Sequence, residues 1–270
     1  MYWGFTEEPG VKSIAKIVKK KEDEKVKRDK NGKKIKEKER VIDLKQGDKK
    51  EDLNLEVILD DDQYELRPLW VNHDGDCPNR MYVCGQSYCG KSYFAGQMAK
   101  DYNKLYPKNK VALISYVEDD KSLNDKKIKN FVQPKIDERI LADPLQLDEF
   151  HDKLVICDDI EAFSDKGIIK QLEAFQNKLV NTGRHHNIGF ICCRQKLMAG
   201  HKTSDILNGI HQIVAFPKTA SRFQLMNYLD RYLHLPKATI QKIMDVPSRW
   251  VLINTSNPVY VLHQKGAFLV

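Results

Sequence analysis

Between residues 81 and 105 a short apolar run, Met81-Tyr82-Val83-Cys84, leads into Gly85-Gln86-Ser87-Tyr88-Cys89-Gly90-Lys91-Ser92. A stretch follows with Phe94, Met98, Tyr102 and Leu105 at three- and four-residue intervals. The central octet satisfies G-x-x-x-x-G-K-[ST], and its setting predicts strand, tight loop and amphipathic helix. A polyphosphate is held by a concave nest of backbone N–H groups, and glycine lets that backbone come close. The helix beginning near Lys91 adds unpaired N–H groups and the positive end of its dipole. Residues Gly85, Gln86, Ser87, Tyr88, Cys89, Gly90, Lys91, Ser92 and Tyr93 are therefore the candidate nucleotide-binding segment. Lys91 would reach the β- and γ-phosphates, and the Ser92 hydroxyl would coordinate the Mg²⁺ that bridges them. Cys89 is either an oxidation-sensitive point in the loop or a small apolar filler.

The 270 residues suffice for one large α/β domain with an extension. From about residue 65, short apolar runs alternate with helical stretches, which predicts strand–helix units around a mostly parallel sheet. The strands are read at Met81–Cys84, Val111–Val117, Leu154–Asp158, Ile188–Cys193 and Gln212–Phe216. A second amphipathic helix carries Ile168, Leu172, Phe175 and Leu179, and further helices are expected at Ser221–Leu233 and Lys237–Met244. The end of the chain reads as a β-hairpin turning at Ser256–Pro258.

In "KLVICDDIEAF" four apolar residues precede Asp158 and Asp159. This fits a buried parallel strand presenting carboxylates at its C-terminal edge, where open α/β sheets bind ligands. Asp158 would hold Mg²⁺ through a water. Asp159 would orient or deprotonate an attacking water, with Glu161 as its rival. The bland alternative is that both aspartates cap the next turn. "NIGFICCRQK" ends in Arg194 and Gln195. If that strand runs between the other two, Gln195 stands beside the γ-phosphate.

The formal net charge is +7, and residues 12–40 hold 14 Lys/Arg against 6 Asp/Glu. Residues 1–64 thus read as a basic N-terminal extension, either a hairpin turning at Asn31-Gly32 or a partly disordered arm, followed by the main domain at 65–270. Such an arm could attract nucleic acid through its phosphates. No apolar run reaches the roughly 18–20 residues of a membrane span. The start, "MYWGFTEEPG", lacks a secretory layout, so an intracellular protein without membrane contact is expected. The six cysteines show no CxxC pair. His73, Cys77, Cys84 and Cys89 match no zinc spacing. His185 and His186, read as strand residues, would face opposite ways.

GQSYCGKS, LVICDDI and "GRHHNIGFICCRQ", in this order, resemble the genome-packaging ATPases of large eukaryotic DNA viruses and virophages, in the FtsK–HerA branch of P-loop ATPases. The Arg-His pair and the closing "VYVLHQKGAFLV" are the more specific parts. The resemblance implies a RecA-like core whose Walker A, Walker B and sensor strands are neighbours. It also implies ATP and Mg²⁺ as cofactors, and a homo-oligomeric ring of five or six subunits. Such a ring would drive double-stranded DNA into a preformed capsid, with capsid or portal-vertex proteins as partners. The setting would be the viral assembly site in the host cytoplasm, or the virion. On that pattern Lys91 and Ser92 are Walker A residues, Asp158 and Asp159 the Walker B acids, and Gln195 the sensor. A ring motor also needs an arginine from the neighbouring subunit; Arg184 is preferred, with Arg222 and then Arg194 behind it. The second acid is Asp where cellular relatives usually have Glu.

Three other classes compete. A P-loop nucleotide or nucleoside kinase would need an arginine-rich lid, and none is evident. A helicase-like DNA-binding ATPase outside packaging would share every motif above. A GTP switch would carry N-K-x-D, and "NKLV" and "NKLY" lack its aspartate.

Overall fold

A computed structural model describes residues 2–20, 40–72, 77–118, 123, 128–219 and 222–270. The strands are β1 (Tyr2–Thr6), β2 (Lys12–Lys19), β3 (Arg40–Gly47), β4 (Glu56–Ile58), β5 (Tyr64–Pro68), β6 (Arg80–Cys84) and β7 (Val111–Ser115). Then come β8 (Phe131–Val132), β9 (Leu154–Asp158), β10 (Gly189–Arg194), β11 (Gln212–Ala215), β12 (Val251–Asn254), β13 (Tyr260–His263) and β14 (Gly266–Leu269). The helices are α1 (Lys91–Leu105), α2 (Arg139–Ala142), α3 (Lys166–Thr182), α4 (His201–Asn208), α5 (Arg222–Arg231) and α6 (Lys237–Asp245).

Among the described residues these strands form two sheets. The larger has ten strands in the order β4-β14-β13-β12-β11-β6-β10-β9-β7-β8. From β11 to β8 every pairing is parallel, and from β11 to β4 every pairing is antiparallel. The parallel strands read as unbroken apolar runs because helices cover both their faces. β6 sends Tyr82 to one side and Met81 and Val83 to the other, and the two cores divide along that alternation. On one side lie α3, α4, α5 and α6; on the other lie α1 and the small sheet. β10 separates β6 from β9. This is the RecA-like arrangement that the resemblance implies.

α1 buries Phe94, Met98 and Tyr102 as expected, whereas Leu105, in its final turn, is exposed. α3 buries the whole predicted stripe, and the Asp165 carboxylate accepts from the Ile168 N–H at 3.0 Å as its N-cap.

Three expectations change. The terminal hairpin is a three-stranded meander, because a second turn at Gln264-Lys265 adds β14. His185 and His186 lie in a 3₁₀ turn at Gly183–His186, not on a strand, since the extended backbone begins only at Gly189. The described residues before 64, which do not include 21–39, pack into the molecule. β1, β2 and β3 join β5 in an antiparallel sheet ordered β1-β3-β2-β5, and β4 caps the edge of the large sheet. Phe5, Ile14, Ala15 and Ile17 are buried in one core with Trp70, Phe94 and Met98. Lysines spaced through β2 conceal this pattern, and a bulge between Ser13 and Ala15 puts Ile14 and Ala15 on the buried side together. The Asn31-Gly32 turn and His73 lie outside the described residues.

Candidate nucleotide site

Gly85–Gly90 joins the C-terminal end of β6 to the start of α1. A Cβ on Gly85 would lie 2.5 Å from the Cys89 sulfur and 2.9 Å from the Phe216 ring, so the close turn requires glycine. Gly90, at φ 108°, uses a conformation that side chains resist. Gln86, Ser87 and Tyr88 face solvent, and Tyr88 is held at φ 64°. The Gly85 N–H donates to the Arg194 carbonyl at 3.1 Å, tying the loop to the tip of β10. Cys89 is buried, and that burial pushes its thiol pKa up against the pull of Lys91. It therefore fills space and is poorly suited to oxidation chemistry.

Lys91 is largely buried and its ammonium donates to the Gln86 carbonyl at 3.3 Å, folded back over the loop. The Ser92 hydroxyl donates to Asp158 Oδ2 at 2.7 Å. That contact joins the first turn of α1 to the end of β9 across the intervening β10. Asp159 follows directly, half-buried at φ 49°, and opens a 3₁₀ turn at Ile160–Ala162. Gln195 is exposed immediately beyond β10, between the ends of β6 and β9. Cys193, near the tip of β10, has its thiol pushed well up by burial, with Asp158 and Asp159 adding to the rise and Lys91 opposing it. Lys91, Ser92, Asp158, Asp159 and Gln195 thus converge on one sheet edge. Ser92 and Asp158 supply hard oxygen ligands in mutual contact, a donor set that fits Mg²⁺.

The arginines do not converge there. Arg184 is exposed in the turn before β10, at the opposite edge of the sheet. Arg222 opens α5 and pairs with Asp245 of α6 at 3.4 Å. Arg194 is only 3% exposed. It donates to Glu161 at 2.5 Å and to Gln176 Oε1 at 2.6 Å, so it braces the fold and is withdrawn as a residue offered to a neighbour. Its partner Glu161 is committed to that pair. Arg194→Leu should lower unfolding stability by about 2 kcal/mol in urea titration, since Gln176 loses a buried partner.

No protein-family model matches the chain. Over 189 residues it is 32% identical to a Sputnik virophage protein described as "Uncharacterized protein V3", covering 69% of this chain and 75% of that one. The chain belongs to the V3 family. Among solved structures, the genome packaging NTPase B204 from Sulfolobus turreted icosahedral virus 2 in complex with AMPPCP matches with TM-score 0.45 and 13% identity, over 68% of this chain and 97% of that chain. B204, the DNA-packaging ATPase from Sulfolobus turreted icosahedral virus, gives 0.46 and 13%, over 69% and 98%. The pCW3 conjugation coupling protein TcpA gives 0.45 and 12%, over 84% and 73%.

One group in this V3-family chain escapes sequence reasoning. Arg249 donates from Nε to the Cys89 carbonyl at 3.2 Å, beside the loop. Its backbone N–H donates to Gln264 Oε1 at 2.8 Å, and the Gln264 amide donates to Glu65 at 3.1 Å. Glu65 also pairs with Arg67 at 3.1 Å on β5. A continuous chain of polar contacts therefore runs from the small sheet to the phosphate loop. The available signal was topological: β12 returns antiparallel to β11, so its beginning falls where the parallel strands end.

Proposed function

We propose that this chain is a Mg²⁺-dependent ATPase that moves double-stranded DNA and, by its resemblance, packages a viral genome. The observation that carries the nucleotide reading is the 2.7 Å contact between Ser92 and Asp158, which closes a phosphate loop against an acid-bearing strand. Backbone N–H groups from Gln86 to Ser92 cradle the phosphates, and Lys91 swings from the Gln86 carbonyl to the γ-phosphate. Bound Mg²⁺ would offset phosphate charge, with Ser92 and, through water, Asp158 holding it. Asp159 receives the proton of the attacking water or orients it. Gln195 sits where a neutral amide can contact the γ-phosphate side of that water. Arg184, or Arg222, from a second copy supplies the remaining positive charge in a ring of five or six subunits. The order of motifs supports the packaging role, with capsid or portal proteins as partners at the assembly site or in the virion. Among the described residues no helix is long and apolar enough to cross a membrane.

The test is an ATPase assay with and without long duplex DNA across a range of protein concentrations. DNA stimulation that emerges with assembly is expected. Turnover that follows an added nucleotide or nucleoside acceptor and ignores DNA would favour a kinase. A sharper test of the chemistry is Asp159→Asn. Asparagine tolerates the left-handed backbone at this position, so the change isolates the charge. Hydrolysis should fall by about 10²-fold or more while Mg-ATP binding persists. Equal rates would remove Asp159 from the role.

A further inference from the structure

A cleft of about 910 Å³ opens between α1 and the small sheet, and Cys89 and Gly90 of the phosphate loop form one end of it. That size lies in the range of small-molecule sites. Its direction relative to the loop is informative. The acids and Gln195 lie toward β9 and β10, so the γ-phosphate end of a nucleotide on Lys91 faces that way. The nucleoside must leave on the other side of β6, toward β11 and β12. The cleft opens there, past Phe216, Arg249 and Trp250.

We propose that the ribose and base of the bound nucleotide lie at the loop end of this cleft, between Tyr93–Gln97 of α1 and the Arg249–Gln264–Glu65 rim. The inference rests on the ATP reading above and extends it to the part of the ligand that the phosphate loop does not touch. Tyr93 is 60% exposed and presents an aromatic face on which a base can stack. Gln97, one turn further along α1, lines the same space with an amide that both donates and accepts, as a purine edge requires. Arg249 spends Nε on the Cys89 carbonyl, and its Nη2 lies 3.4 Å from where a Gly90 Cβ would be. Its guanidinium is thereby held at the junction of phosphate and ribose. Glu65 and Gln264 fix that position from the small sheet, so residues before the phosphate loop form a wall of the nucleotide site.

Titration calorimetry on the full chain with Mg-ATP and with Mg-tripolyphosphate tests this. In the Tyr93→Ala/Gln97→Ala double variant, the Kd for ATP should rise about tenfold or more while that for tripolyphosphate stays unchanged. Photolabelling of the wild type with 8-azido-ATP should mark peptides within residues 93–104 or 249–264. Unchanged ATP affinity in the double variant, or labelling confined to other peptides, overturns the assignment of the cleft and leaves the triphosphate site standing. A wild-type chain that binds neither ligand overturns both readings. Circular dichroism melting of the variant separates a lost contact from a lost fold.

Discussion

ATP hydrolysis by Lys91→Ala should fall by about 10²–10³-fold, which corresponds to roughly 3–4 kcal/mol of lost transition-state stabilisation. The lysine is the cationic side chain assigned to the γ-phosphate within one copy, and it is itself only 7% exposed. Its ammonium already lies inside the loop, 3.3 Å from the Gln86 carbonyl, so little rearrangement separates the empty and loaded positions. Lys91→Met serves as a companion, because it keeps the buried stem and removes only the charge. Phosphate release measured with saturating DNA should be lost in both variants while their melting curves stay close to wild type. Wild-type turnover in the methionine variant would show that hydrolysis occurs elsewhere in the molecule.

The second large effect concerns folding. Deleting residues 1–40 should give a chain that fails to unfold cooperatively or that aggregates. β2 is the middle strand between β3 and β5, so its removal leaves both neighbours unpaired. The deletion also strips Phe5, Ile14, Ala15 and Ile17 from the core beneath α1. On a smaller scale, Ile14→Ala should cost about 2–4 kcal/mol in urea unfolding, as expected for a side chain 1% exposed. A truncated chain with a wild-type unfolding midpoint would mean that the small sheet is dispensable. Consequently, the contribution of the basic segment to DNA binding should be probed by replacing lysines between residues 21 and 39, with β2 kept. The slope of affinity against salt should then flatten as charge is removed.

The parts of the molecule that were readable from sequence share a physical cause. Leu154–Asp158 is a strand with the predicted bounds, and β6, β7, β10 and β11 fall within a residue or two of them, because a strand buried on both faces leaves an unbroken apolar run. α1 and α3 were readable because their buried stripes repeat at helical intervals. The order β6-β10-β9 was not readable from local pattern and came only through the resemblance. The small sheet was hidden because Lys12, Lys16 and Lys19 interrupt β2, and a half-buried strand with charged alternate positions looks like a solvated arm. Arg249 was hidden for a different reason. Its place beside the phosphate loop depends on the direction in which β12 runs, which no local spacing records. Arg194 looked like an accessible cation at a strand tip, yet Gln176 and Glu161 enclose it.

The terminal strands of the large sheet have a consequence for how copies of the chain can meet. One margin is β4, with three residues, and the other is β8, with two. Neither offers enough unsatisfied backbone to template strand addition from another molecule. At the margins of the large sheet, any contact between copies would then run through side chains, while the outer strands β1 and β5 belong to the small sheet. Such joints can loosen and re-form during a working cycle without tearing the hydrogen-bond ladder of either subunit.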